Sequence, residues 1–407
     1  MIRNYSVLYL HETAEFGGAE NSLLNLTGRI DRTKFDPIVA CPDNGLFPEK
    51  LKKIGIEVYP VAYPPLRRLV GVLPAIKKIR DIIRSRDVRL VHSNSIRTHL
   101  YGVIAVRPYG IPTIWHQRNL LIKEHIDPDR LFSLLPDKII CNSRAIADRF
   151  LKNGRLPSKV AIIYNGVDTE KFRPSINGGK VREEFRIAPD EIVIGIASRF
   201  NLYKGHETFL RAAHCLITGA PEITARLRFL IAGSPVFKED EFREKHLVDL
   251  ADKLGIRDKV IFSGFRNDMP EIYAAMDIFV LASDAEPCGR VVLEAMASGK
   301  AIVATGSGGT PELIKDNQTG FLFEAGDMKA LAGKLAILIR DRSLSADMGA
   351  AGRKRAEEDF SIERNIRATE EIYTELLPRS QPRLRRDGRD SAPRPHGRGA
   401  SRMDKNV

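Results

Sequence analysis

The residues DIFVLASDAEPCGRVVLEAMASGKAIVAT, from Asp277 to Thr305, decide the fold. They comprise an apolar run of strand length, a turn with proline and glycine, an apolar segment of helix length and a second apolar run. Strands of this kind that alternate with helices are typical of a parallel sheet with helices on both faces. The stretch therefore predicts one strand–helix–strand unit of an α/β fold.

The same alternation continues through most of the chain in both directions. The first series of predicted strands is VLYL (7–10), PIVAC (37–41), EVYPV (57–61), RLVHS (89–93), TIWH (113–116) and KIICNS (138–143). The second series is IVIGIAS (192–198), RLRFLIAG (226–233), KVIFSG (259–264), DIFVLAS (277–283), KAIVAT (300–305) and GFLF (320–323). A chain of 407 residues is longer than a single hydrophobic core usually grows. We therefore expect an α/β fold with two Rossmann-like domains that face each other across a cleft.

Local composition sets the predicted domain boundaries. The stretch RPSINGGK (173–180) contains Pro, Asn and two Gly, which is typical of a linker. We predict a first domain over 1–172, a linker over 173–187 and a second domain over 188–361. Residues 362–378 follow as a helix, and because its apolar stripe must cover a surface we expect it to return to the first domain. The stripe consists of Ile362, Ile366, Ile372, Tyr373 and Leu376.

The net charge of +12 does not indicate nucleic-acid binding, because the tail 379–407 holds nine Lys or Arg and three Asp, which is half of that charge. The tail is rich in Arg, Pro, Gly and Ser, so we expect it to be disordered. The cysteines are too widely spaced for a zinc site or a disulfide framework, and we expect reduced thiols. They are Cys41, Cys141, Cys215 and Cys288. No apolar run reaches the roughly 20 residues of a membrane span and residues 1–10 read as the start of a strand, so we expect a cytoplasmic protein.

The strongest candidate for a ligand site lies where the strand DIFVLAS ends and the next helix begins. Pro287 suits a first helical turn, and Gly289 leaves the amides of that turn open to an anion. Glu286 lies beside these amides. Glu294 lies further along an otherwise apolar helix, so its carboxylate needs a buried partner or a ligand hydroxyl. The alternative is an ordinary ion pair between Glu294 and Arg290, four residues apart.

Two other loops have features that favour phosphate. EFGGAE (15–20) follows the first strand, and Gly17 and Gly18 would let the backbone approach a ligand closely, although such a pair also forms ordinary tight turns. SRFNLYKGHE (198–207) follows the first strand of the second half and carries Arg199 and Lys204. Two cations beyond the carboxyl end of this strand would neutralise the charge of a diphosphate, both on binding and as charge develops on a leaving group. Solvated surface charges are the alternative.

Taken together, these segments resemble family 4 of the retaining glycosyltransferases, which have the GT-B fold. The resemblance extends to about Leu377. Besides the glycine pair and the charged residues above, it includes NSRAIADRF (142–150), YNGVDTEKF (164–172), SGF (263–265) and GGTPELI (308–314).

The resemblance implies roles for the residues of the donor site. The residues that match Arg199 and Lys204 bind the donor diphosphate, the one that matches Glu294 holds the ribose, and the one that matches Glu286 contacts the donor sugar. The expected donor-binding set is Gly17, Gly18, Arg199, Lys204, Arg266, Glu286, Gly289, Arg290, Val291 and Glu294. One departure from the family is Cys288, where an aromatic residue is usual.

The resemblance also implies a mechanism. Retention at the anomeric carbon would follow front-face attack, in which the departing phosphate helps to deprotonate the acceptor, so no protein nucleophile is required. His116, in TIWHQRN (113–119), matches a histidine near the transferred sugar and is expected to have an acceptor-side or orienting role; a structural histidine is the alternative. The expected catalytic residues are Glu286, His116, Arg199 and Lys204. We expect no cofactor apart from the donor itself, such as a UDP- or GDP-sugar.

We expect no metal. The only Asp-x-Asp sequence is Asp127-Pro128-Asp129, and we interpret it as a turn that caps a short helix.

The acceptor is left open between a glycan, a lipid-linked molecule and a small molecule. The stretch 67–89 combines eight Arg or Lys residues with apolar residues at helical spacing, which is typical of a helix on an anionic membrane surface and equally of a half-buried helix with a solvated face. Nucleic acid is not an expected partner. The rival functions are a catalytically silent nucleotide-sugar binder and an epimerase or phosphorylase of the same fold.

Overall fold

The structure is a computed structural model that describes residues 4–120, 127–151, 156–235, 240 and 242–377. The strands of the first half are β1 (Tyr5–Leu10), β2 (Phe35–Cys41), β3 (Glu57–Pro60), β4 (Val88–Ser93), β5 (Thr113–Gln117), β6 (Lys138–Cys141) and β7 (Val160–Ile162). They form one parallel sheet in the order β3-β2-β1-β4-β5-β6-β7.

A second parallel sheet forms from the other half of the chain. Its strands are β8 (Ile192–Ala197), β9 (Leu227–Ala232), β10 (Val260–Gly264), β11 (Ile278–Leu281), β12 (Ala301–Thr305) and β13 (Phe321–Phe323). Their order is β10-β9-β8-β11-β12-β13. The chain order reverses between β1 and β4 in the first sheet and between β8 and β11 in the second. Ligands of such folds bind beyond the carboxyl ends of the strands at these reversals.

The helices of the first half are α1 (Gly18–Arg29), α2 (Leu46–Lys53), α3 (Leu69–Ser85), α4 (Ile96–Val106), α5 (Pro128–Phe132) and α6 (Arg144–Leu151). Those of the second half are α7 (Gly179–Glu184), α8 (His206–Gly219), α9 (Pro221–Thr224), α10 (Phe242–Lys253), α11 (Met269–Ala275), α12 (Arg290–Ala297), α13 (Thr310–Leu313), α14 (Met328–Arg340) and α15 (Arg342–Asp359). The last helix is α16 (Ile362–Leu376).

Helices cover both faces of each sheet because the strands are apolar on both faces. In β1, Val7 and Tyr9 enter an apolar cluster on one face, while Leu8 and Leu10 enter a second cluster on the other. In β8, alternate residues likewise divide between two clusters. The predicted α/β class with two Rossmann-like domains is confirmed, as are all twelve predicted strands. Sequence analysis missed β7, since three half-buried residues are too few to show a hydrophobic pattern.

The predicted linker 173–187 contains α7. Val181 and Ile187 of this segment are buried in an apolar cluster of the second half. The Arg182 guanidinium donates to the Asp277 carboxylate at 2.9 Å. This segment therefore contributes a short helix to the second half as well as connecting the two sheets.

Helix α16 crosses back to the first half, as predicted. Ile362, Ile366 and Tyr373 are buried in the same cluster as Val7 and Tyr9 of β1. Burial of an aliphatic side chain of this size contributes roughly 1.5–3 kcal/mol, so these contacts can hold the helix against the first sheet. The tail 379–407, predicted to be disordered, lies outside the described residues.

The basic segment 67–89 is mainly α3, which ends at Ser85; Arg89 belongs to β4. Its buried apolar residues pack against the first sheet and are Val72, Ala75, Ile76, Ile79, Ile82 and Ile83. Two residues of its first turns, Val70 and Leu73, are 93% and 71% exposed. Most apolar residues of α3 thus belong to the core, but Val70 and Leu73 near its start are exposed to solvent. Within the described residues, the helices are all too short or too polar to cross a bilayer.

Candidate active site

The loop between β11 and α12 is held in place by a pair of glycines from a neighbouring loop. The backbone N–H of Gly309 donates to the carbonyl oxygen of Glu286 at 2.8 Å. Gly308 adopts φ 60°, and a Cβ there would clash with the same carbonyl. The GGTPELI segment therefore fixes the backbone at Glu286, and only glycine fits at that approach.

Glu286 and Lys204 form an ion pair at this loop. The Lys204 ammonium donates to Glu286 Oε1, and the Ser283 hydroxyl donates to the same oxygen at 2.9 Å. Lys204 ends a short 3-10 helix, and the following Gly205 has φ 69°, where a Cβ would clash with the Ala282 carbonyl. The structure thus brings together two of the predicted catalytic residues, from the loops that follow β8 and β11. Arg199 is exposed in the loop after β8, at the same edge of the sheet.

Helix α12 begins at Arg290 with Gly289 as its N-cap, as predicted from the sequence. Arg290 donates to Glu294 Oε1 at 3.0 Å, so the ion pair considered as the alternative for Glu294 is present. The Tyr273 hydroxyl donates to Glu294 Oε2, also at 3.0 Å. Arg290 also donates to the carbonyl of Gly18 at 3.2 Å, which joins the start of α12 to the glycine pair of the first domain.

The glycine pair is braced by a glutamate that sequence analysis did not identify. Glu20 Oε2 accepts from the Gly17 amide at 2.9 Å, and Glu20 Oε1 lies 2.7 Å from His11 Nε2. Thr13 donates to Glu20 Oε1 at 3.0 Å. Although burial acts to raise it, the hydrogen bond and attraction of His11 bring the pKa of Glu20 to about 2. The turn at Gly17 is therefore tied to the end of β1 by an ionised carboxylate.

His116 lies on β5 within a chain of buried polar side chains. Its Nδ1 is 3.2 Å from His92 Nε2 and 3.2 Å from Arg118 Nη2, and the two imidazole rings stack. The Tyr373 hydroxyl, from α16, lies 2.5 Å from His92 Nδ1 and 3.1 Å from the Tyr9 hydroxyl. Sequence analysis placed Tyr373 on the apolar stripe of its helix and gave His92 no role. The helix that follows the second domain therefore reaches the predicted acceptor-side histidine through one intervening side chain.

Electrostatics keep both histidines neutral. Burial lowers the pKa of His116 far below its usual value, and the charge of Arg118 acts in the same direction. Burial also lowers the pKa of His92 to about 3. A guanidinium only donates, so His116 Nδ1 accepts and the neutral ring carries its proton on Nε2. That Nε2 is buried and has no hydrogen-bond partner among the described residues. Its N–H can therefore donate to a bound molecule.

Arg118 connects this network to the loop between β11 and α12. Its Nη1 donates to Asn165 Oδ1 at 3.1 Å, and Asn165 Nδ2 donates to the carbonyl of Cys288 at 3.1 Å. The Cys288 side chain is 5% exposed, and burial raises its pKa to about 12, so it is an inert thiol in this setting. Sequence analysis noted HQRN and YNGVD as motifs but did not identify this bridge.

A second bridge joins the domains through Glu312. Its carboxylate accepts from the backbone N–H groups of Arg144 and Ala145, at 2.6 and 2.8 Å, and from the Tyr164 hydroxyl at 2.9 Å. A glutamate of the second domain therefore caps helix α6 of the first. Three motifs of the family resemblance, NSRAIADRF, YNGVDTEKF and GGTPELI, meet at this contact.

Two other features singled out in the sequence form contacts of their own. Arg266 forms a bidentate pair with Glu184, at 2.6 and 2.9 Å, and also donates to Asp268, so its role in donor binding stays a prediction. Asp127 caps α5 by accepting from the Asp129 amide at 3.1 Å. Arg149 pairs with both aspartates at 2.7 Å. The interpretation of the Asp-Pro-Asp sequence as a helix-capping turn is confirmed.

Comparison with protein families accounts for both halves of the chain. Residues 16–171 match the model described as Glycosyltransferase Family 4, and residues 179–355 match the model described as Glycosyl transferases group 1. The first match includes His116 and every strand of the first sheet except β1, and the second includes Glu286 and all six strands of the second sheet.

Individual relatives agree with these matches. The D-inositol 3-phosphate glycosyltransferase of Saccharomonospora viridis is 31% identical over 305 residues, which is 71% of this chain and 70% of that protein. The UDP-Gal:alpha-D-GlcNAc-diphosphoundecaprenol alpha-1,3-galactosyltransferase of Escherichia coli is 24% identical over 371 residues, 86% of this chain and 91% of that protein. Anabaena HepE, solved in complex with UDP, has a TM-score of 0.80 and 26% identity, over 91% of this chain and 100% of that one. The same protein in complex with UDP-glucose has a TM-score of 0.79 and 26% identity, over 91% and 99%.

Proposed function

The chain belongs to glycosyltransferase family 4, in the group 1 glycosyltransferases, and we propose that it is a retaining, metal-independent enzyme that transfers a sugar from a nucleotide donor in the cleft between its two domains. The observation that carries this proposal is the convergence of Lys204 and Glu286 at the start of α12. These are the groups that a nucleotide sugar requires. The cation and the open amides of a helix start can bind its phosphates, and the carboxylate can bind its sugar hydroxyls.

The donor diphosphate is proposed to bind at the amides of Gly289, Arg290 and Val291, with Lys204 and Arg199 beside it. The first amides of an α-helix have no acceptor within the helix, and the helix dipole favours an anion there. Glu294 is proposed to bind the ribose. Arg290 and Tyr273 each donate to one oxygen of Glu294 and so orient its carboxylate. The remaining lone pairs of these oxygens would accept hydrogen bonds from the ribose hydroxyls.

The proposed reaction breaks the bond between the anomeric carbon and the leaving phosphate oxygen, and forms a bond from that carbon to the acceptor hydroxyl on the same face. The acceptor proton passes to the leaving phosphate. The chain's part is electrostatic, since Lys204, Arg199 and the α12 amides stabilise the charge that develops on the phosphate. His116, neutral and with its proton on Nε2, would donate a hydrogen bond to a bound hydroxyl and so orient it.

Turnover of a nucleotide sugar in the absence of acceptor tests this proposal. Full-length protein incubated with UDP-glucose should release glucose slowly, and Lys204→Ala should lower that rate by about 10²-fold or more, the usual loss when a group that stabilises the leaving charge is removed. Lys253→Ala is the matched control, because Lys253 is an exposed lysine at the end of α10. Equal rates for the two variants would contradict the assignment. GDP-glucose, assayed in parallel, reports which nucleotide is preferred.

Metal independence is tested by chelation. Lys204, Arg199 and the amides at the start of α12 are proposed to stabilise the phosphates without a metal ion. Turnover should therefore survive EDTA. Loss of turnover in EDTA with recovery on addition of a divalent cation would contradict this part of the proposal.

The acceptor is proposed to be an envelope glycan or a lipid-linked molecule at an anionic membrane surface. The names of two relatives specify an inositol 3-phosphate and a diphosphoundecaprenol-linked sugar as substrates. The exposed Val70 and Leu73, which follow the exposed Arg67 and Arg68, are the combination that inserts at such a surface.

Co-sedimentation with anionic vesicles tests the membrane surface. At about 0.1 M salt the Debye length is about 10 Å, and at 1 M about 3 Å, so high salt should remove binding due to charge alone and leave the apolar share. Leu73→Gln should lower the binding that remains at high salt, and a chain that ends at Pro378 should lose binding mainly at low salt. If full-length protein does not sediment even at low salt, the membrane surface is excluded and a freely diffusing acceptor is indicated.

A further inference from the structure

Arg118 is a cation in the cleft that no carboxylate of the described residues neutralises. Its Nη1 donates to the Asn165 amide oxygen and its Nη2 to His116 Nδ1, at 3.1 and 3.2 Å, and both partners are uncharged. Its Nε is buried and has no hydrogen-bond partner in the described residues. A guanidinium has five N–H groups, and these contacts engage two of them.

The surroundings favour an anion beside this guanidinium. Burial lowers the pKa of Arg118 to about 10, opposed by Glu20 and assisted by the charge of Arg290, so the group remains charged at pH 7. The nearby carboxylate of Glu20 is already bound to His11, Thr13 and the Gly17 amide. A partly buried charge with only neutral partners is costly, and a charge-assisted hydrogen bond to an anion would offset that cost.

Two other cations at the cleft differ in this respect. Lys204 is paired with Glu286, and Arg290 is paired with Glu294. Arg118 is instead fixed by Asn165 and His116, two groups that orient its planar fork without cancelling its charge. This is the arrangement expected of a residue that recognises a ligand anion rather than one that stabilises the fold.

We propose that Arg118 binds a phosphate group in the cleft, and that this phosphate belongs to the acceptor. The inference rests on the proposed function, because it places the phosphate next to the neutral His116 that would orient the acceptor hydroxyl. Arg118 lies on the first domain, just beyond β5, whereas the proposed donor phosphate site lies on the second. The donor diphosphate is the other source of the same chemistry, since Arg290 is close enough to influence Arg118.

Calorimetric titration of full-length protein with inorganic phosphate, in saturating UDP and at constant ionic strength, tests the proposal. UDP occupies the donor site, so phosphate reports any second site. Arg118→Gln should weaken phosphate binding by about tenfold or more, the usual value of one charge-assisted hydrogen bond. Arg144→Gln is the control and should change it less than about twofold, because the Arg144 side chain is 65% exposed and pairs with Asp148 on the surface.

The affinity for UDP, measured without phosphate, distinguishes the two sources. Unchanged UDP affinity in Arg118→Gln with weakened phosphate binding assigns the site to the acceptor. Weakened UDP affinity with unchanged phosphate binding assigns Arg118 to the donor diphosphate and overturns the acceptor site. If neither affinity changes, Arg118 is not a phosphate-binding residue. Failure of wild-type protein to bind or hydrolyse any nucleotide sugar would instead refute the proposed function.

A measurement on the wild-type protein tests the proposal without depending on whether the variant folds. Phenylglyoxal modifies accessible guanidinium groups, and mass spectrometry can quantify the modification at Arg118. Phosphate added to the UDP-saturated protein should protect Arg118 but not Arg144. Equal modification of Arg118 with and without phosphate would overturn the proposal. Arg118→Lys, which keeps the charge and loses the planar fork, should bind phosphate with intermediate affinity.

Discussion

The contact of Glu312 with helix α6 allows a quantitative prediction about how the two domains are held together. Glu312→Ala removes hydrogen bonds to the amides of Arg144 and Ala145 and to the Tyr164 hydroxyl. Loss of a helix cap costs about 0.5–2 kcal/mol. A hydrogen bond to a charged group contributes about 1.5–3 kcal/mol. Because Glu312 is only half-buried, we expect the lower part of the combined range, about 2–3 kcal/mol.

The single tryptophan gives this prediction a local probe. Trp115 is fully buried in the first domain, and its ring packs edge-on against Phe150 of α6, with centroids 5.7 Å apart. Its fluorescence therefore reports the region that Glu312 caps, while far-UV circular dichroism reports both domains. With a urea m-value of about 2 kcal/mol/M, the fluorescence midpoint of Glu312→Ala should fall by about 1–1.5 M. Glu324→Ala is the control, since Glu324 is an exposed glutamate of the second domain.

A double-mutant cycle identifies the source of the effect. Tyr164→Phe removes one of the three hydrogen bonds and should lower the midpoint by less than Glu312→Ala does. If Tyr164 acts through Glu312, the double variant should be no less stable than Glu312→Ala alone. A fluorescence midpoint for Glu312→Ala equal to that of Glu324→Ala would show that the capping contact does not stabilise the first domain in solution, and the reasoning would fail.

Three further expectations concern the two glutamates of the cleft, the contact of Tyr373 with His92, and the buried histidines His92 and His99. Glu294→Gln should mainly raise the KM for the donor, whereas Glu286→Gln should mainly lower kcat; small equal effects on both constants would favour a purely structural Glu294 paired with Arg290. Tyr373→Phe should lower the free energy of unfolding by about 1–3 kcal/mol, because it leaves a buried nitrogen of His92 without its hydroxyl partner; an unchanged urea midpoint would argue against this network. Burial lowers the pKa of His92 and His99 to about 3, so between pH 7 and 5 the unfolded chain binds protons that the folded chain does not. Stability should then fall by on the order of 2 kcal/mol per histidine at pH 5, and equal urea midpoints at the two pH values would contradict it.

The strands were predictable because burial on both faces requires continuous apolar runs, which are visible locally. The helix start at Gly289 and Arg290 was predictable for a similar reason, since proline and glycine act on their own backbone. The outcome at Glu294 shows the limit of such reasoning. Its spacing from Arg290 allowed either an ion pair or a ligand contact, and the pair is formed.

The remaining features could not be predicted because they depend on residues far apart in the chain. The Tyr373 hydroxyl contacts His92 across 281 positions, and Glu312 caps α6 across 168. Helical spacing indicated correctly that Tyr373 lies on the side of α16 that packs against another part of the protein. Spacing carries no information about which polar atom its hydroxyl contacts. Arg118 likewise donates to Asn165 across 47 positions, a contact that the sequence around Arg118 does not indicate.

The return of α16 to the first sheet has a consequence for recombining members of this family. A crossover near residue 175 would exchange what look like two modules, yet it would give the first module a foreign terminal helix. Tyr373 and Ile366 would then come from one parent, and Tyr9 and His92 from the other. A chimera that is meant to inherit one parent's acceptor recognition must therefore take residues 362–377 from that parent along with the first domain. For the same reason, the first module cannot complete its core on the ribosome until almost the entire chain has been synthesised.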